Sequence, residues 1–134
     1  MAGSVFPLFS KRYFDFTAGD SEVIVVQAMD AADYTEATLL LRVHGVSLSV
    51  AGSKIQLIAD DIAPAFDDPS VDFVKEELAI AEINNTGTAP TAPKLRTAAL
   101  NNFGEALRFR VVGTLSGGGG TCNATLSADV VLKE

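Results

Sequence analysis

Hydrophobic and polar side chains alternate with a period of two along most of this chain. The clearest runs are 106–111 and 124–132, and the same spacing recurs in 36–50 and 53–59. A period of two places successive side chains on opposite faces, which predicts β-strands with one face buried. The residues predicted to face inward are Leu39, Leu41, Val43, Ile55, Leu57, Ala59, Leu107, Phe109, Val111, Ala124, Leu126, Ala128, Val130 and Leu132.

Three further segments are less regular. The apolar run SEVIVVQA predicts a strand that is buried on both faces or lies against a partner. EELAIAEIN fits either a helix or a strand, and PKLRTAAL fits a short strand. Together with the alternating segment KRYFDFT, about eight strands result, and no helical segment is long enough for a parallel α/β sheet. The sequence therefore predicts an all-β fold, a single-domain antiparallel β-sandwich or jelly roll of about eight strands.

A run of four glycines precedes the last predicted strand. The segment Gly113–Gly120 holds five of the 11 glycines. A phosphate-binding loop needs Lys and then Ser or Thr after its last glycine, followed by a helix. Here the next lysine is Lys133, and the residues between form a strand pattern. We interpret the glycines as a flexible hairpin loop that joins the last two strands.

Composition narrows the classes of partner. The chain has 134 residues, a net charge of −7 and ten Lys and Arg, with 48% hydrophobic residues. A globular domain of this size buries roughly 65–70% of its unfolded surface. The acidity argues against nucleic acid and anionic membranes as partners. No apolar run approaches the roughly 20 residues of a membrane span, and the start lacks the order of a secretory signal.

Clustered carboxylates suggest one candidate metal site. The stretch ADDIAPAFDDPSVD contains Asp60, Asp61, Asp67, Asp68 and Asp72. Calcium prefers several oxygen ligands on a flexible loop, although this spacing is not that of an EF-hand. The alternative is a polar loop in which Asp68 and the proline after it start a turn.

Candidate catalytic residues are few. His44 is the single histidine, with Ser47 and Ser49 nearby, and no nucleophile-elbow pattern surrounds it. Cys122 is the single cysteine, and its place in a strand favours a small buried apolar role. One His and one Cys make a poor zinc site. We expect no enzyme and no cofactor.

Aromatic residues concentrate at the N-terminus, where half of the ten Phe and Tyr lie in the first 16 positions. Residues 1–16 are either an aromatic arm that lies on a neighbouring subunit or the first strand of the domain, and residues 17–134 form the β-sandwich. Aromatic and arginine side chains are frequent interface anchors. The candidate partner-binding residues are Phe6, Phe9, Lys11, Arg12 and Tyr13.

From Glu36 onward the chain resembles a known class of viral proteins. TLLLRVHGVSLSVAGSKIQLIADDIAP, DDPSVDFV, LRFRVVGTL and ATLSADVVLKE are similar in style to the small β-sandwich cement or head-decoration proteins of tailed bacteriophages. The resemblance implies a homo-oligomer that binds a major capsid or other shell protein and stabilises the shell. It also implies a location on the capsid surface of the virion, after synthesis in the host cytoplasm.

Three functions are consistent with these features. The first is a non-enzymatic assembly protein, favoured by the apolar N-terminal segment and the absence of a catalytic set. The second is a carbohydrate- or calcium-dependent ligand-binding module, although the chain has no Trp to stack on a sugar ring. Tyr13 and Tyr34 are the remaining aromatic platforms of that kind. The third is a small hydrolase that depends on His44.

Overall fold

The computed structural model describes residues 4–64 and 72–134. This part of the chain forms eight β-strands and no helix. In chain order the strands are β1 (Ser4–Asp15), β2 (Ser21–Asp30), β3 (Glu36–Leu48), β4 (Lys54–Pro64), β5 (Asp72–Asn84), β6 (Lys94–Asn101), β7 (Ala106–Thr114) and β8 (Cys122–Lys133).

The strands form two antiparallel sheets that face each other. The first sheet has the order β1-β8-β3-β6, and the second has the order β2-β7-β4-β5. Strand β1 pairs with β8, β2 with β7, β3 with β6 and β4 with β5, as in one long hairpin rolled up on itself. Among these eight strands, the connection from β4 to β5 stays within the second sheet, and each of the other connections between consecutive strands crosses from one sheet to the other. This is the eight-stranded jelly roll, and the predicted fold class is confirmed.

The core lies between the two sheets and follows the alternation seen in the sequence. All of the residues predicted to face inward are buried. Phe109 is the largest fully buried side chain, and Leu126 and Val130 of β8 lie in the same core. Because side chains alternate across a strand, burial of one set fixes the other set on the outer faces.

Strand β2 differs from its prediction. The apolar run of β2 predicts burial on both faces, but its residues are exposed or half-buried, because β2 is an edge strand of the second sheet. The pairing of β2 with β7 is irregular between Ile24 and Val26. An extra residue at such a bulge changes which face the following side chains occupy. Val25 and Val26 both pack against the core in consequence, which explains the unbroken apolar run.

The two ambiguous segments are both strands. EELAIAEIN lies in β5, with Ala79, Ala81 and Ile83 buried. PKLRTAAL corresponds to β6, which pairs with β3 in uninterrupted register. The helical alternative for EELAIAEIN is therefore wrong, and its alternate small and branched residues fit the inner face of a sheet.

The glycine run is not a hairpin. It connects β7 of the second sheet to β8 of the first sheet, so it crosses between sheets and the hairpin interpretation is wrong. Its far end is fixed to the β3–β4 loop, where the Thr121 amide donates to Ser49 Oγ at 2.8 Å and the Ser49 amide donates to the Thr121 carbonyl. A Cβ on Gly120 would come within 2.1 Å of Val50 Cγ2. Gly120 thus permits a close approach of two chain segments.

We expect G120A and G118A to differ although they are two residues apart. A methyl group on Gly120 would overlap Val50, whereas one on Gly118 meets nothing within 4 Å. Overpacking of this kind costs about 1–3 kcal/mol, while Gly118→Ala should be neutral or slightly stabilising. Urea unfolding of both variants measures the difference. Equal stability of the two variants would contradict this account of the crossover.

Candidate functional site

The N-terminal segment is a strand of the first sheet. Strand β1 pairs along β8 from Ser4 to Asp15. The rings of Phe6 and Phe9 are half-buried and pack against the core. Phe6 meets Tyr34 edge-on with ring centroids 6.1 Å apart, and Phe9 meets Phe14 at 5.2 Å. These two predicted contact residues therefore contribute to the domain itself, through aromatic pairs of favourable geometry.

The other three predicted contact residues are exposed. Lys11 has a left-handed backbone with φ of 45° at an irregularity in β1, and its amide donates to Ser127 Oγ at 2.9 Å. The Arg12 guanidinium carbon lies 5.0 Å from the centre of the Phe14 ring, in a cation–π contact. Tyr13 is 60% exposed. The structure thus separates the five candidates into two ring anchors and three accessible side chains.

Of these three residues, Tyr13 aligns with Thr125 on the outer face of the first sheet, whereas Arg12 aligns with the inward Leu126. Strand pairing aligns the outward residues of this sheet in rows across three or four strands. These rows are Val5, Val131, Thr38 and Ala99; Pro7, Asp129, Leu40 and Thr97; and Ser127, Arg42 and Leu95. Val5 is 62% exposed and Leu95 54% exposed. The face therefore mixes apolar, small and charged side chains, a composition that differs from a fully solvated polar face.

A serine–histidine pair lies on this face. His44 Nε2 is 2.7 Å from Ser127 Oγ, and both residues are at the surface of adjacent strands. Asp129, two residues along β8, is paired instead with Arg42. The imidazole therefore lacks the carboxylate that orients the base in a Ser-His-Asp site. Ser47, which the sequence placed near His44, is bound to Thr121 Oγ1 at 2.6 Å.

A shallow hollow of about 380 Å³ opens next to His44. It lies between β3 and the beginning of the edge strand β6, and three of its side chains are basic or imidazole groups. The lining residues are Arg42, Val43, His44, Pro93, Lys94 and Leu95. A concave site with an apolar floor and a few polar groups is the usual form of a ligand site.

The fold sorts charge between its two sheets. The strands of the first sheet contain six of the ten Lys and Arg and three carboxylates, whereas those of the second sheet contain four Lys and Arg and eight carboxylates. The six cations of the first sheet are Lys11, Arg12, Arg42, Lys94, Arg96 and Lys133. Although the whole chain is acidic, the strands of the first sheet thus contain more cations than carboxylates.

The second sheet contains a buried carboxylate held by two arginines. Asp60 has no exposed surface, and it accepts hydrogen bonds from Arg108 Nη2 at 2.9 Å and Arg110 Nε at 2.9 Å. Arg110 also donates to Glu22 at 3.0 Å and to Glu77 at 2.7 Å. Partial burial lowers the pKa of the Arg110 guanidinium, but its hydrogen bonds to Asp60 and Glu22 and the negative charges of these groups raise it by more. The pKa of Arg110 is therefore raised. The cluster joins all four strands of this sheet.

This cluster changes the interpretation of the acidic stretch. Asp60 is committed to the two arginines, and Asp61 accepts from the Gly104 amide at 3.2 Å. Asp67 and Asp68 lie outside the described residues, and for Asp72 only the backbone pairing is described. Within 4–64 and 72–134 no group of three potential metal-binding side chains occurs. The calcium candidate therefore stays a prediction for residues that the described structure does not reach.

We expect Asp60→Asn to destabilise the fold much more than Asp129→Asn. The first substitution leaves two arginines with a neutral, fully buried partner, and removing one member of a buried pair costs about 3 kcal/mol or more. The second breaks a pair with Arg42 whose guanidinium side is 47% exposed, which is typically worth about 0–1 kcal/mol. Thermal unfolding at neutral pH compares them. A milder effect for Asp60→Asn would mean that the cluster is not a structural clamp.

Cys122 is buried in the core at the start of β8. Its Sγ lies 3.8 Å from the Thr114 carbonyl and 3.9 Å from the Lys54 carbonyl. Burial, and then the charges of Asp15 and Asp20, raise the pKa of the thiol. A protonated and enclosed thiol is a poor nucleophile.

We expect Cys122 to resist alkylation in the folded protein at pH 8 and to react after unfolding in urea. The folded state favours the neutral thiol, because the pKa of Cys122 is raised there. The contribution of this thiol to the free energy of unfolding is therefore present below about pH 8.5, and it is lost as the pH rises above that value and the thiol of the unfolded chain ionises. Mass spectrometry after iodoacetamide treatment measures the reaction. Rapid labelling of the native protein would show that the thiol is accessible.

Comparisons with known proteins support the fold. No protein-family model matches the chain, and no curated protein matches it either. The chain is similar to a chain in the structure of infectious bursal disease virus, Gx strain, with 14% identity and a TM-score of 0.52. This similarity covers 98% of the present chain but 31% of the viral chain. A likeness at that identity shows a shared β-sandwich fold.

A second solved structure, CsCBM6-3 from Clostridium stercorarium in complex with cellobiose, matches with 16% identity and a TM-score of 0.34. That match covers 98% of this chain and 75% of the other. The superposition is too poor for any conclusion about binding. Among the described residues, no helix is long and apolar enough to cross a membrane.

Proposed function

We propose that this chain is a non-enzymatic structural protein of a virion shell, which acts as a decoration or cement protein on the capsid surface. The observation that carries the proposal is the outer face of the first sheet. Val5, Tyr13 and Leu95 are each more than half exposed there, although they are large and apolar or aromatic. Exposed apolar residues on the same face as Arg and Tyr are typical of interfaces between proteins.

A cement function needs little more than such a face. A protein that binds only the assembled shell stabilises it by mass action, so the surface that it contacts replaces any reactive group. The partner in this proposal is a major capsid or other shell protein, and the chain itself is a homo-oligomer. Neither nucleic acid nor membrane takes part. Synthesis occurs in the host cytoplasm, and the finished protein resides in the virion.

The fold is compatible with this proposal without deciding it. Jelly rolls are frequent in viral capsids, but they also occur in lectins and other binding proteins. The Ser127–His44 pair does not favour a hydrolase, since Asp129 is bound to Arg42 instead of the imidazole. The carbohydrate- or calcium-dependent alternative has Tyr13 as its exposed aromatic platform. It becomes the better account if the chain is a monomer that ignores shells.

A charge placed on the proposed contact face should abolish association. We expect the double variant V5E/Y13E to keep the melting temperature of the parent within about 3 °C, because both side chains are already exposed. Light scattering and co-sedimentation with purified shells should show a monomer that no longer binds. Ile24→Glu on the outer face of the second sheet is the control, since Ile24 is 42% exposed there.

Two results would contradict the proposal. The first is a parent chain that is monomeric at every concentration and stays in the supernatant with shells. The second is equal binding by V5E/Y13E, I24E and the parent. If the parent fails to bind shells and its melting temperature rises with added calcium, the ligand-binding alternative takes precedence.

A further inference from the structure

Strand β6 and the hollow beside it contain several basic side chains. Arg42, His44 and Lys94 line the hollow, together with the apolar side chains of Val43, Pro93 and Leu95. Strand β6 has no carboxylate, and its basic residues Lys94 and Arg96 flank Leu95. Arg42 is paired with Asp129. Lys94 and Arg96, on a strand without a carboxylate, complement a negative partner in a chain with a net charge of −7.

The edge of β6 supplies a second feature. In the first sheet β6 has one strand neighbour, β3, so one side of its backbone is unpaired by any strand of the described chain. The other three edge strands are irregular where they pair, whereas β6 follows β3 without a register shift from Lys94 to Asn101. Bulges protect an edge from further pairing, and a regular edge accepts another strand.

Exposure shows where this edge is open. Leu95, Arg96 and Thr97 are three consecutive exposed residues. Successive side chains point to opposite faces, so both faces of β6 are accessible over this stretch. An extended peptide alongside β6 would place alternate side chains on the face that contains Leu95 and the others on the face that contains Lys94 and Arg96.

We propose that β6 and the adjacent hollow bind an extended acidic segment of a partner protein by strand addition. Backbone hydrogen bonds to the β6 edge give affinity, and acidic side chains directed at Lys94 and Arg96, which lie on the same face of β6, give specificity. Apolar side chains of the segment contact Leu95. This inference rests on the proposed function only where it identifies the partner as a shell protein. The affinity of β6 for an acidic segment depends on the residues of β6 alone.

The test uses fluorescence anisotropy with the full chain and short labelled peptides. The probe is an acetylated and amidated octapeptide of alternating Glu and Val, and its counterpart has Lys in place of Glu. We expect the Glu peptide to bind, with affinity that falls as salt is raised, and the Lys peptide not to bind. Two further Glu peptides are N-methylated at every second backbone nitrogen, one at the odd positions and the other at the even positions. One of these peptides should bind at least tenfold more weakly than the unmethylated peptide, because only one of the two sets of N–H groups faces the β6 edge.

Matched protein variants locate the site. Lys94→Glu should weaken binding of the Glu peptide about tenfold or more, whereas Lys54→Glu makes the same change of charge on the second sheet and should have little effect. Melting curves of both variants check that each is folded. Lack of binding by the Glu peptide, equal binding by both peptides, or equal loss in the two variants would overturn the proposal.

The peptide assay contains no shell, so it separates this inference from the proposed function. Peptide binding without shell binding refutes the shell role and retains the acidic site. Shell binding that is unaffected by Lys94→Glu retains the shell role and refutes this site as its contact.

Discussion

The structure depends on the packing of two central strand pairs, β3 with β8 and β4 with β7, face to face across one core. In β7 and β8 buried and half-buried positions alternate almost without interruption. Each of these strands has a neighbour on both sides, so its backbone groups are paired within the sheet. Apolar burial between the sheets supplies the main stabilisation. The same alternation fixes which side chains reach the outer faces, and the exposed residues Val5 and Leu95 lie on one of them.

Local pattern predicts this core well and the connections poorly. Residues such as Leu41, Phe109 and Leu126 could be assigned to the inner face because alternation is a property of a few neighbouring residues. The glycine run could not be assigned in this way. Whether it turns back in one sheet or crosses to the other depends on the partners of β7 and β8, which lie far away in the sequence. Val25 shows a related effect, since a bulge in the pairing of β2 converts an alternating strand into an apolar run.

Contacts between residues that are distant in the sequence also explain why the partners of Asp60 and His44 could not be predicted. Asp60 was grouped with an acidic loop, yet it lies in β4 opposite Arg108, 48 residues away. Arg108 and Arg110 alternate with the inward positions of 106–111 and so fall on an outer face, where two neighbouring arginines on a half-buried surface require a carboxylate. That requirement was the available signal, although it does not reveal which acid supplies the partner. Likewise His44 contacts Ser127, 83 residues away, instead of the serines near it in sequence.

The net charge of the chain does not reveal how its charged residues are distributed between the two sheets. A value of −7 argues against nucleic acid because binding to phosphates needs many cations on one surface. The first sheet nevertheless has twice as many Lys and Arg as carboxylates in its strands. Two of its cations are engaged, as Arg42 is with Asp129 and Arg12 is with the Phe14 ring. Exposed Leu95 lies between Lys94 and Arg96, and this combination of apolar surface with a few cations favours the acidic, partly apolar surface of another protein.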